Sequence, residues 1–292
     1  MFIALICSLF SAYSKPIQEI PRGEILFNSN RSGVSHLYIM NASGQILRQV
    51  TEGEANHWSG RWDPSGERIW FISDRDGRER LYHMAATGSD SVATPLTGIA
   101  GFNISPDGKT VAFYREGRDW AAVFVAGIDG TGEVNLSKDQ PGRNLKPAWS
   151  PDGRQLTFTS DRDGNLEIYR MRADGSGVVN LSNHPAAEGS SQYSPDGRHI
   201  LFRSSRRGEG NQEIYVMRDD GSQVRQVTDH PKWELISSWS PKGVWVTFGS
   251  NRAGNWEIYL LPFAQSETTA QPPIRLTHDP GFDGDPVWRP VK

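Results

Sequence analysis

Between residues 21 and 290 the chain cycles through short apolar stretches and tight polar turns, and the cycle occurs six times. One copy reads PAWSPDG, QLTFTSDRDG, LEIYRMRADG and VVNLS. These four segments have the length of strands and are bounded by turn-forming residues, and long helices are hard to place among them. The second segment puts Phe at the same place in every copy: Phe27, Phe71, Phe113, Phe158, Phe202 and Phe248. In register with them the third segment carries Tyr38, Tyr82, Phe124, Tyr169, Tyr215 and Tyr259, and the fourth ends in Val50-Thr51, Leu96-Thr97, Leu136-Ser137, Leu181-Ser182, Val227-Thr228 and Leu276-Thr277.

The turns mark the period. Pro-x-Gly turns begin at Pro21, Pro64, Pro106, Pro151, Pro195 and Pro241, with a last Pro at Pro290, at intervals of 43, 42, 45, 44, 46 and 49 residues. In Ser105-Pro106-Asp107-Gly108 the Pro presets φ, the Asp bonds back to the backbone and the Gly accepts positive φ. Units of this length match the blade of a propeller. The sequence therefore predicts an all-β, six-bladed β-propeller of four-stranded antiparallel blades, with blade repeats starting near 21, 64, 106, 151, 195 and 241 inside a domain spanning 15–292. Sheets that are apolar on both faces become stable when each is stacked between two others. The first unit lacks its Trp-containing first strand, and Asp285-Pro286-Val287-Trp288 at the other terminus supplies one. The C-terminal strand is expected to complete the N-terminal blade and close the ring.

Composition refines this picture. Among 292 residues, 30 Gly and 18 Pro supply turns, and ten Trp supply large packing faces. Lys plus Arg number 31 and Asp plus Glu 34, a net charge of −3. No basic excess exists to release counterions from a phosphate backbone, so nucleic acid is not an expected partner. Residues 1–14 read as a signal peptide: Met1 to Tyr13 are nearly all apolar, and Ala12 and Ser14 stand at −3 and −1 of a cut. The stretch is too short to span a bilayer, and no later one is long enough. The lone Cys7 lies within it, so the mature chain would rely on neither disulfides nor thiolates. A periplasmic or secreted monomer is expected.

The recurring WSPDG, FxSDRDG, EIY and LT segments resemble the PD40 repeats of TolB-type β-propellers over about residues 21 to 290. Trp62-Asp63 is the one Trp-Asp pair of the repeats and precedes a turn, unlike WD40 signatures, and the kelch double glycine is absent. The resemblance implies a propeller that offers a surface or channel to protein partners of the cell envelope. Full-length TolB proteins serve the Tol-Pal system and carry an α/β domain ahead of the propeller. Only residues 15 to 20 could precede it here, so that domain is not expected, which puts a role in the Tol-Pal system in doubt.

Candidate chemistry lies where the repeat breaks. Loops joining second to third strands and fourth to next first strands must share one rim, the usual place for ligand recognition. Five residues before each first-strand aromatic stand His57, Ile99, Asn144, Glu188, Glu234 and Asp283. Three successive carboxylates at a channel mouth would attract a cation, a Lys or Arg side chain, or a peptide amine; solvated loop groups are the plainer reading. Calcium needs six to eight close oxygens, which this spacing does not ensure, so no cofactor or metal is expected, with calcium at the mouth as the alternative. The Asp161 to Asn165 loop has its Gly at the fourth place, not the sixth of a calcium loop, and reads as a turn. Arg31, Arg75, Arg162, Arg206 and Arg252 recur beside it and read as bridges between blades. His184, His230 and His278 fall in loops of successive blades, too separate for zinc. Trp62, Trp149, Trp239 and Trp288 hold the repeat position and are core candidates. Trp58, Trp120, Trp233 and Trp256 do not recur and are candidate anchors for a partner, with packing as the competing role. The third unit diverges most, Arg115 to Trp120 replacing the SDRDG turn.

Three functions compete. A non-enzymatic interaction module binding partner segments at the rim and channel mouth fits all these features. A channel-sited metal-dependent lyase or hydrolase, or a propeller separated from a peptidase domain, is the alternative; the chain contains no Gly-x-Ser-x-Gly elbow and no HExxH. A structural spacer with no ligand is the third.

Overall fold

The computed structural model describes residues 19–208, 210–263 and 272–291, and for Ile236 and Ser237 the backbone only. The candidate leader 1–14 and Cys7 lie outside these residues. Among the described residues no helix occurs, and 24 strands form six four-stranded antiparallel sheets. Five sheets are built from four consecutive strands. The sixth joins Asp283–Trp288 to Glu24–Ser29, His36–Asn41 and Ile46–Gln49. The C-terminal strand thus completes the first blade, pairing Trp288 with Ile25 and Asp283 with Ser29, and the ring is a six-bladed β-propeller. Blades are numbered here in chain order from this one.

Strand alternation explains why the core lies between sheets. In blade 1, Ile25 and Phe27 pack with Trp245, Ile258 and Leu260 of blade 6. Leu26, Leu37 and Ile39 point the other way, into Trp62, Ile69 and Phe71 of blade 2. Second strands are therefore buried on both faces, and all six residues of Trp245–Ser250 are buried. The recurring Phe residues are all fully buried, each contributing about 1.5–3 kcal/mol by area removed from water. Gly60 marks a close approach, since a Cβ there would meet the Leu26 and Leu37 side chains at 2.8 Å.

The Pro-Asp-Gly turns form the rim away from the loops. Gly108, at φ 72°, donates its N–H to the Ser105 carbonyl at 2.9 Å, while the Asp107 carboxylate accepts from the Ser105 hydroxyl and the Lys109 N–H. Ser150-Pro151-Asp152-Gly153 and Ser194-Pro195-Asp196-Gly197 repeat these bonds. Each glycine faces the proline of the preceding blade: the Cβ direction of Gly153 points at Pro106 and that of Gly197 at Pro151, 3.7 Å away in both cases. Outer strands are only two residues long in blades 3 to 6, which leaves little free edge for pairing with another chain.

Candidate functional site: the loop rim and the axial channel

One guanidinium caps each blade at the loop rim. The side chains of Arg31, Arg75, Arg162, Arg206 and Arg252 lie over the Phe–Tyr pair of their own blade, Arg162 being 5.2 Å from the Phe158 centroid and 4.4 Å from that of Tyr169. Each also reaches the first-strand position expected at the channel mouth. Arg31 holds both oxygens of Asp283 at 3.0 Å, Arg162 reaches Asn144 Oδ1 at 2.6 Å, Arg206 Nε meets Glu188 Oε1 at 2.5 Å, and Arg252 pairs with Glu234. Ser204 and Ser250 donate to the same two glutamates, both at 2.9 Å. These arginines therefore bridge strands within a blade rather than between blades.

His57, Ile99, Asn144, Glu188, Glu234 and Asp283 are all buried. The structure brings them to the start of the inner strands but turns the polar ones into their own blades, so the three carboxylates do not line an open mouth. Burial pushes Glu234 up to about 7 against the opposing pull of Arg252, and raises Asp283 in the same way. His57 is driven down to about 4, first by burial and then by Arg75. It is neutral, with Nδ1 facing Arg75 at 3.4 Å and Nε2 facing the Glu52 carbonyl at 3.3 Å, which fits a proton on Nε2.

Blade 3 reaches the same cap by another route. Its second strand extends to Glu116, and Arg115, two residues after Phe113 instead of four, still stands about 5 Å from the Phe113 and Phe124 centroids. Because its first-strand position is apolar Ile99, Arg115 turns to the Thr97 carbonyl and Glu133.

The four non-recurring tryptophans separate into two kinds. Trp58 packs against the cluster shared by blades 2 and 3, and Trp256 is half-buried. Trp120 is 52% exposed and Trp233 41%, both on the loop rim. The Trp233 indole is steadied by its Nε1–H donating to the Gly210 carbonyl at 2.6 Å. Trp120 belongs to blade 3 and Trp233 enters blade 6, and these blades stand opposite each other in a six-membered ring. Among the described residues no group of three or more His, Cys, Asp or Glu is arranged to hold a metal ion.

The channel itself is lined by a different set of residues. Inner strands bulge near their third residue, and there Ser59, Lys146, Ser190 and Asp285 adopt φ between 51° and 56°, a conformation that is costly for residues with a Cβ. With Gly101 and Ser238 they border an axial cavity of about 240 Å³ that all six inner strands enclose. Arg61 also faces it. Lys146 Nζ donates to Ser190 Oγ at 2.9 Å, and its ammonium is held down to about 8 by burial and by Arg203. Burial likewise lowers Arg61 and raises Asp285. Strict alternation would set the position five before the aromatic on the same face as the one three before it. The bulge breaks that rule, so the channel residues escaped the sequence reading. Their signal was a column of unlike polar residues, Ser59, Lys146, Ser190 and Asp285, in otherwise repetitive strands.

The sequence profile of the TolB beta propeller domain, PD40, matches residues 20–118 and 99–210. The chain belongs to the TolB β-propeller family. An uncharacterized protein of Agrobacterium fabrum is 30% identical over 183 residues, 60% of each chain. The Tol-Pal system protein TolB of Bordetella pertussis is 29% identical over 156 residues, 52% of this chain and 35% of that protein. These matches span less than two thirds of either relative. The crystal structure of TolB from Acinetobacter baumannii superposes with a TM-score of 0.78 at 21% identity, over 92% of this chain and 67% of that one, a likeness of fold. No helix among the described residues of this TolB-family propeller is long and apolar enough to cross a membrane.

Proposed function

We propose that this protein is an exported, periplasmic, non-enzymatic interaction module of the cell envelope that holds segments of protein partners at its loop rim. The observation that carries this reading is the exposure of Trp120 and Trp233 on that rim, whereas the aromatic rings of the recurring positions are packed between blades. Large rigid rings left in water on a rigid scaffold are the usual anchors of a protein interface. Membership of the TolB propeller family supports a protein partner, and the components of the Tol-Pal system are the first candidates to try. The Arg-capped carboxylates Glu188, Glu234 and Asp283 then serve to fix the loops that carry the anchors, with His57 and Asn144 doing the same in their blades.

Photo-crosslinking in living cells tests this. A crosslinking amino acid placed at Asp119 or Lys232, both exposed beside the tryptophans, should trap a defined envelope protein. The same group at Val244, exposed on the opposite rim, should not. Equal crosslinking from both rims, or none from the tryptophan side, would overturn the assignment. Export is checked by the N-terminus of the purified protein, expected at Lys15.

A further inference from the structure

The axial cavity carries more positive than negative charge, two cations against one carboxylate. Arg61 and Lys146 face it from blades 2 and 4, and Arg203 stands behind Lys146, its guanidinium beside Gly189. Asp285 is the one carboxylate that borders the cavity among the described residues, and its charge is shared between Arg61 and Lys146. None of these three cations has a carboxylate oxygen of a described residue within 4.0 Å. Taking two cations out of water with one shared carboxylate beyond ion-pair distance costs several kcal/mol, and two of the residues that shape the site, Lys146 and Asp285, also sit in strained left-handed backbone. Strain and excess positive charge together in one buried cavity are features that binding sites retain.

We propose that this cavity binds a small organic carboxylate that also bears a hydroxyl or amino donor. Arg61 and Lys146 supply the donors for the carboxylate, in the charge-assisted geometry that guanidinium and ammonium groups favour. Asp285 accepts from the second group, together with Gln192, whose Oε1 is buried and without a hydrogen-bond partner among the described residues. The volume, about 240 Å³, falls below the range of drug-sized pockets and suits a molecule of a few carbon atoms. The site lies inside the ring, so it is independent of the partner anchors on the rim.

Titration calorimetry on the mature chain decides it, with sodium lactate, sodium acetate and methylammonium chloride as probes. Lactate should bind saturably, acetate about tenfold more weakly for want of one hydrogen bond, and methylammonium not at all. Lys146→Met and Arg61→Gln should each weaken lactate by about tenfold or more, whereas Asp285→Ala should tighten acetate by removing the opposing charge. Opposite signs separate a binding effect from general loss of structure, and thermal melting confirms that each variant folds. Trp120→Ala/Trp233→Ala should bind lactate as the wild type does, so failure of the rim reading leaves this one standing. No saturable lactate binding by the wild type, or unchanged affinity in Lys146→Met, would overturn the proposal; acetate binding as tightly as lactate would remove the requirement for a second donor.

Discussion

At Lys146, burial and the nearby Arg203 hold the ammonium down to about 8, where 10.5 is ordinary. The unfolded chain therefore binds this proton more tightly than the folded one, and the charge costs stability at neutral pH. Lys146→Met keeps the aliphatic stem and removes the charge. It is expected to raise unfolding free energy by an order of 2 kcal/mol at pH 7, after discounting for channel water. The gain should shrink as pH rises from 8 towards 10.5 and vanish beyond, as urea melts at a series of pH values would show. Glu234 behaves in the opposite sense. Its carboxyl is raised to about 7 from 4.5, so the folded state holds the proton more tightly. The resulting stability is full below 4.5 and is lost as pH rises through 7. Relative to Glu234→Gln, the wild type should gain stability between pH 7 and 5; parallel curves for the two proteins would refute this. Neither behaviour could be read from sequence, because it depends on where a side chain points. Glu234 and Asp283 look like rim carboxylates until the Arg252 and Arg31 guanidinium groups are seen folded onto them.

Blades are held by two devices of different legibility. Phe202 recurs in the sequence and is fully buried, and the period of two told which face it would occupy. The Phe202→Ala variant should lose about 3–5 kcal/mol through lost burial and the cavity left behind. The Arg cap was visible only as a recurring residue, and its target was not. Arg115 shows why: it caps blade 3 from a strand position two residues nearer its Phe than the loop arginines, so alignment alone could not place it. In blade 5, Arg206→Met leaves Glu188 buried without its ion pair and is expected to cost about 3–5 kcal/mol, while adding Glu188→Met should recover most of the loss. Chemical unfolding of the single and double variants checks this. A double variant no more stable than Arg206→Met would mean that the loss comes from the guanidinium's packing on Phe202 and Tyr215 and not from an unpaired Glu188. The inner-strand bulges were likewise hidden, since nothing in the alternation marks Ser59, Ser190 or Asp285 for a left-handed turn.

The closed ring was legible because its closing strand could be identified from what the first unit lacked. Asp283–Trp288 supplies the inner edge of blade 1, a buried Trp288 and the bidentate contact to Arg31. Deleting Gly281 to Lys292 should abolish cooperative melting rather than lower the midpoint slightly, because blades 1 and 6 would both lose a packing face. Closure gives rigidity, and under the proposed function that rigidity would hold the two exposed rings on opposite blades as fixed anchors. Rim anchoring is tested most directly by the affinity of the partner trapped there for wild type and for Trp120→Ala/Trp233→Ala. Binding should be at least about 30-fold weaker in the double variant, the loss of one interface hot spot or more, with melting unchanged. Equal affinities would contradict it.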